Sequence, residues 1–246
     1  MIHTMDAQPS PAPSRARPHV TVSYAQTLDG RLATRSGSSQ WISGPESLRL
    51  VHELRASHDA ILVGAGTVLR DNPRLTVRLV EGRDPLRVVV DSALRTPLSA
   101  AVLAGGAARG TLLAASATAD PKRVAALEQA GATVLLVSPD AAGLVPLGHL
   151  LRTLAARGVR SVLVEGGARI ITSLLRERLV DRLVVTIAPK VLGAGIEAVG
   201  DLGIEDLANA LTLGDLHVQR YGPDLVLDGR VSYSEDKPVE EGGRDN

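Results

Sequence analysis

The chain predicts an α/β fold: a mainly parallel central sheet with helices on both faces, finished by a C-terminal antiparallel hairpin. Short apolar runs alternate with segments of helical composition from His19 to Ala188, and that alternation is how a helix-wound parallel sheet reads in sequence. The runs Asp59–Gly64, Leu86–Asp91 and Ser161–Val164 are apolar almost throughout, as strands covered on both faces are. Near the end, Leu213–Arg220 and Asp224–Asp228 flank the turn signal Tyr221–Gly222–Pro223.

Residues 1–17 carry Pro9, Pro11 and Pro13 and read as a disordered tail. Residues 18–233 read as one domain, and 234–246 as a second disordered tail. His19–Ala25 is the first strand, followed by the Asp29-Gly30 turn. Ser43, Gly44 and Pro45 announce a helix, with Pro at the first turn where its missing N–H costs nothing. Leu48, Val51, His52, Leu54 and Arg55 give that helix one apolar face and one polar edge. Asp59–Gly64 is a second strand, and Gly64–Ala65–Gly66–Thr67 opens a short helix ending at Asp71. Leu86–Asp91, Thr111–Ala115 and Ala132–Val137 are further strands. Pro121–Ala130 is a helix capped by Asp120 and closed by Gly131. Leu147–Ala156 is another helix, stopped by Gly158. Ser161–Val164 precedes a helix over Ala168–Arg178, and Asp181–Ala188 is the last parallel strand.

Composition narrows function. Phe and Cys are absent, and Tyr24, Trp41, Tyr221 and Tyr233 are the aromatic residues, so the core is aliphatic. Without Cys there is no disulfide, thiolate metal site or cysteine nucleophile, and the six histidines lack metal-ligand spacing. Lys plus Arg balances Asp plus Glu at 27 each, leaving no overall field toward nucleic acid or a membrane surface. No apolar run approaches the ~18 residues of a membrane helix, and the first residues lack the apolar core of a secretory signal. The expectation is a cytoplasmic protein with no metal, nucleic-acid or membrane partner.

The stretch Val164–Glu165–Gly166–Gly167–Ala168–Arg169–Ile170 concentrates the chemistry. A strand ending on two glycines and opening a helix presents unpaired N–H groups at the positive end of a helix dipole, where anions bind. Ends of parallel strands share one edge, so Asp29, Thr67, Ser92 and Glu165 are placed to converge on one crevice. Arg55 and Arg78 supply charge for a phosphorylated ligand. The competing interpretation is that each glycine only permits a tight turn and each Arg is solvated. Other nucleotide and hydrolase patterns are missing: there is no GxxxxGK[ST], no GxGxxG and no GxSxG. The paired Cys of zinc deaminases is impossible here.

Thr27–Leu28–Asp29–Gly30, Ser39–Gln40–Trp41–Ile42, Leu54–Arg55–Ala56, the block Asp59–Arg78, Val164–Gly167 and Ala188–Gly193 together resemble the reductase domain of the riboflavin biosynthesis protein RibD. The resemblance runs from about His19 to Val231. It implies a dihydrofolate-reductase-like fold, NADPH as hydride donor, a homodimer, and reduction of a pyrimidine ribosylamino 5′-phosphate to its ribityl form by hydride transfer to ribose C1′. It places Ala25, Trp41, Gly64, Gly66, Thr67, Asp71, Ser92, Gly166, Gly167, Ala168, Arg169 and Ile170 at the cofactor. Ser39, Arg55, Leu75, Arg78 and Glu165 fall at the substrate. Asp29 is the acidic candidate for catalysis or a turn-former, and water is the other proton source. Ser23 stands where many bifunctional relatives carry Lys, and Thr-Leu-Asp-Gly resembles stand-alone reductases, so the base as amino or carbonyl form stays open. A dihydrofolate or pteridine reductase and a non-catalytic NADPH-binding regulator are the alternatives.

Overall fold

The computed structural model describes residues 16–40 and 42–234. The expected tails fall almost wholly outside these residues, as does Trp41. The chain begins with β1 (His19–Thr27), the short β2 (Arg31–Thr34) and α1 (Pro45–Ser57), then β3 (Ala60–Gly64), α2 (Ala65–Asp71) and β4 (Leu86–Val90). It continues through β5 (Thr111–Ser116), α3 (Pro121–Gln129), β6 (Thr133–Val137) and α4 (Leu147–Ala156). After these come β7 (Ser161–Val164), α5 (Ala168–Arg176), β8 (Arg182–Ala188), β9 (Gly195–Glu197), β10 (Thr212–Tyr221) and β11 (Asp224–Ser232).

Among the described residues, nine strands form one sheet in the order β10-β11-β8-β1-β7-β3-β4-β5-β6. From β8 to β6 every neighbouring pair is parallel; β11 returns antiparallel to β8, and β10 antiparallel to β11. Strand side chains alternate between two faces, and both faces are apolar. Leu62, Val88, Leu112, Val162 and Val164 pack with Leu150, Leu154, Ile171 and Leu174 of α4 and α5. Ile61, Val63, Val89, Leu113 and Leu163 pack on the other side with Leu54, Val68 and Leu127 of α1, α2 and α3. Helices on both faces are therefore observed as expected.

Local sequence explains the placement. The N-terminus of α1 lacks a side-chain cap of its own. Asp224 of β11 ties that end down instead, its Oδ2 accepting from Gly44 N (2.7 Å) and Ser47 Oγ (2.6 Å). This seats α1 across the far end of the sheet. In α4, Leu147, Leu150, Leu151 and Leu154 are all buried, the spacing of one helix face.

Three details differ from expectation. The antiparallel β2–β9 pair was not anticipated; it is held by tertiary contact and not by an apolar pattern. The C-terminal hairpin extends to Ser232 and joins the main sheet through β8. The helix after Gly167 ends at Arg176, with Arg178 in the left-handed region at φ 55°.

Register creates the important irregularity. β7 stays paired with β1 only to Val22↔Val164, whereas β1 runs on to Thr27 beside β8. A notch therefore opens alongside β1 beyond the end of β7.

No helix among the described residues is long and apolar enough to cross a membrane.

Candidate active site

Two glycine turns meet at this notch. Glu165 N donates to Leu62 O (3.1 Å) and Gly64 N donates to Gly166 O (3.4 Å), which continues the β3–β7 contact past the end of the strand. Gly166 and Gly167 have φ of 111° and 80°, conformations that an L side chain rarely adopts. A Cβ on Gly64 would stand 3.1 Å from Ile170, and one on Gly167 would stand 3.4 Å from Thr67 Oγ1. Gly64 thus packs against Ile170 and Gly167 against Thr67, with Gly64 and Gly166 buried, Ala168 half-buried and Arg169 exposed. The α5 N-terminus has no side-chain cap, so the N–H groups of its first turn are left for an anion. Such a turn suits an anionic group such as a phosphate.

The other expected cofactor positions among the described residues lie on neighbouring elements. Ala25 lies on β1 beyond the last β7 partner. Ser92 follows β4, its Oγ accepting from Val145 N at 3.1 Å. Gly66 belongs to the first turn of α2, with open space where a side chain would go. Asp71 ends α2, and Ser39 donates to its carboxylate. Burial raises the Asp71 pKa, with Arg70 and Ser39 pulling the other way.

Of the expected substrate residues, Arg55, Glu165 and Arg78 are tied together through Thr76, with Leu75 next to it in the chain, whereas Ser39 bonds to Asp71. Arg55 of α1 is 10 % and Glu165 13 % exposed at the side chain, and they make a bidentate pair: Nε to Oε1 and Nη2 to Oε2, both 2.6 Å. Arg55 Nη1 also donates to Thr76 O at 3.0 Å. Burial works against the Arg55 charge, but Glu165 outweighs it and holds the guanidinium above its usual pKa. Arg55 therefore has its own anion in place. Leu75 is 2 % exposed with φ 55°, so its side chain faces the core. Such a conformation at a buried leucine costs energy, and strain of this kind clusters at ligand sites. Arg78 is exposed; its Nη1 reaches Thr76 Oγ1 at 2.8 Å and, among the described residues, no carboxylate. Burial, then Arg55 and Arg74, lower its pKa. It lines a hollow of about 640 Å³ with Arg49, Leu79, Val80 and Glu81. A second hollow of about 340 Å³, lined by Arg17, Asp181 and Tyr233 among others, shares none of these residues.

Asp29 sits apart in the β1–β2 turn. Its carboxylate accepts from Thr27 Oγ1 (2.6 Å), Gly193 N (2.6 Å) and Leu192 N (3.1 Å). The Thr27 hydroxyl foremost, with those amides, brings its pKa down to about 2. A carboxylate so held fastens the 192–193 loop and carries no proton near neutrality.

The sequence reading missed His52. It is 1 % exposed, and its Nδ1 accepts from Arg78 N at 2.9 Å. Its place three residues before Arg55, on the same helix edge, was the available signal. Burial, then Arg55 and Arg78, bring its pKa down to about 4. The unfolded chain takes up that proton first, near 6.5. Stability from this group is complete above about pH 6.5 and lost as pH falls toward 4. Unfolding titrations across that window should show a loss of up to about 3 kcal/mol, and His52→Asn should flatten the slope. An unchanged slope would contradict the assignment.

The sequence comparison decides the family. A profile described as the RibD C-terminal domain matches residues 18–227. The chain belongs to that family. The riboflavin biosynthesis protein RibD of Aquifex aeolicus is 39 % identical over 87 % of this chain, which spans 58 % of that relative's length. The 2,5-diamino-6-ribosylamino-4(3H)-pyrimidinone 5′-phosphate reductase of Methanothermobacter thermautotrophicus is 42 % identical over 87 % of this chain and 99 % of its own. Among solved structures, Acinetobacter baumannii RibD superposes with TM-score 0.76 at 29 % identity, covering 88 % of this chain and 59 % of that one. The Saccharomyces cerevisiae riboflavin biosynthesis reductase Rib7 gives 0.71 at 28 % identity, covering 90 % and 93 %. The RibD C-terminal domain here has the expected dihydrofolate-reductase-like fold, and membership in this reductase family implies a nicotinamide cofactor.

Proposed function

We propose that this chain reduces the ribosylamino group of 2,5-diamino-6-ribosylamino-4(3H)-pyrimidinone 5′-phosphate to the ribitylamino form, with NADPH as cofactor. The observation that carries the reading is the notch beyond β7, where the uncapped α5 N-terminus adjoins Glu165 and its Arg55 partner, and an exposed Arg78 that has no carboxylate partner among the described residues. The diamino form is put first because the relative named for it is 42 % identical over 87 % of this chain.

In this reading, NADPH when bound supplies the hydride that reaches ribose C1′ of the ring-opened substrate. The chain's own work is placement. The first-turn amides of α5 hold the pyrophosphate, and the Arg55–Glu165 pair gives the site a fixed, internally neutralised base. Arg78 meets the substrate phosphate with charge-assisted hydrogen bonds. Holding the reacting carbons about 3–3.5 Å apart is worth much of the rate. The balancing proton goes to the exocyclic nitrogen from water, since Asp29 holds none at neutral pH.

The deciding assay follows NADPH oxidation with the diamino substrate, its deaminated counterpart and dihydrofolate. Oxidation with a pyrimidine and none with dihydrofolate is the expected outcome. Activity with dihydrofolate alone, or tight NADPH binding without turnover, would replace the reading. Arg78→Ala should raise KM for the phosphorylated substrate on the order of ten- to a hundredfold while kcat stays close to wild type; an unaltered KM rejects the phosphate role.

We further propose a homodimer joined through the C-terminal hairpin. β10 is an outer strand of the sheet, and Leu216, Val218 and Leu225 of the hairpin are 48 %, 57 % and 45 % exposed. An apolar edge strand invites pairing. Light scattering should give twice the 25.7 kDa chain mass, and a monomer at micromolar concentration would refute it.

A further inference from the structure

We infer that His52 is a positioning residue for the phosphate end of the substrate, acting through the backbone of Arg78. The inference rests on the proposed role of Arg78. The segment Leu75–Arg78 has neither helix nor strand hydrogen bonding, so something else must fix the path from which Arg78 reaches out. Three side chains do so. Arg55 Nη1 of α1 donates to Thr76 O at 3.0 Å, Asp84 Oδ1 accepts from Val77 N at 2.7 Å, and His52 Nδ1 of α1 accepts from Arg78 N at 2.9 Å. Of the three, His52 is the one on the Arg78 amide itself.

The ring is inside the protein at 1 % exposure, so it reaches no ligand directly. An imidazole whose Nδ1 accepts carries its proton on Nε2, and a doubly protonated ring cannot accept. The cations acting on it are Arg55 from its own helix and Arg78 from the facing segment, and both oppose a second proton. Because Arg55 also binds Glu165, the clamp connects the cofactor turn Glu165–Gly167 to the phosphate-facing segment. Loss of the His52 bond frees Arg78 while Arg55 still holds Glu165 and Thr76 O, so substrate affinity falls and the hydride geometry is kept.

The test is steady-state kinetics with saturating NADPH and the phosphorylated pyrimidine for wild type, His52→Leu, His52→Asn, Arg78→Ala and the His52→Leu/Arg78→Ala double variant. His52→Leu should raise KM about tenfold with kcat within about twofold. Asparagine, whose Oδ1 offers an acceptor near the Nδ1 position, should recover most of that loss. In the Arg78→Ala background His52→Leu should add nothing further to KM. If Arg78→Ala raises KM and His52→Leu does not, the inference falls alone. If Arg78→Ala leaves KM unaltered, the reading beneath it falls. Equal losses for leucine and asparagine, or an additive double variant, would mean a merely structural histidine and overturn the proposal. Should the leucine variant not fold, the ¹⁵N spectrum of wild type at pH 7 still decides: Nδ1 must be the unprotonated ring nitrogen, and a protonated Nδ1 overturns it.

Discussion

Replacing Glu165 with alanine should lower the unfolding temperature on the order of 10 °C and abolish measurable turnover. The two 2.6 Å bonds to Arg55 would vanish, leaving a guanidinium only 10 % exposed with Thr76 O as its remaining hydrogen-bond partner. Removing one partner of a buried ion pair costs about 3–5 kcal/mol, because the other charge stays where water cannot reach it. At about 2–4 °C per kcal/mol for a chain of this size, differential scanning calorimetry will resolve the change. Glu165→Gln, which keeps the shape and removes the charge, should fall in between. Adding Arg55→Met to Glu165→Ala should recover much of the stability, since the orphaned charge is then gone. It should not recover activity, because the anchor on Thr76 goes with it. A Glu165→Ala protein melting within about 2 °C of wild type would show that the pair is far better hydrated than its burial indicates.

The second large effect is expected at Gly167. Its φ of 80° lies where L residues are strained, and a side chain would push toward Thr67 Oγ1 across the gap between the two turns. Gly167→Val should cost about 1–3 kcal/mol from backbone conformation and weaken NADPH on the order of a hundredfold, read by direct titration. Gly66 makes the control. It has no positive φ and open space around it, so Gly66→Ala should raise stability by roughly 0.5–1 kcal/mol. A valine at 167 that binds NADPH normally would remove this turn from the proposal.

What could be read from the residues follows how local the cause is. Ser161–Val164 followed by two glycines announced a strand, a turn and an uncapped helix, because all three depend on near neighbours. The β2–β9 pair was not readable: four and three residues without an apolar run pair only once the rest of the chain has set them side by side. Arg55 was identified as important, yet expected at a phosphate, since nothing within one helix reveals a carboxylate 110 residues away. The left-handed turn at Leu75 is invisible for the opposite reason, as leucine is among the residues least expected there. For Asp29 the sequence left acid and turn-former open; three hydrogen bonds into the turn and the 192–193 loop favour the second.

The place of β7 between β1 and β3 has a consequence for how the chain acquires its shape. Val20 and Ala60 both take Val162 as their neighbour, so two early strands wait for a late one to arrive before the middle of the sheet exists. Assembly dominated by such distant contacts is slow. A nascent chain that has emerged only as far as α4 leaves both edges of β1 and one edge of β3 unpaired, the condition under which aggregation competes. Fragments ending before residue 161 should therefore be insoluble, and chaperone dependence during synthesis should ease abruptly once β7 has left the ribosome.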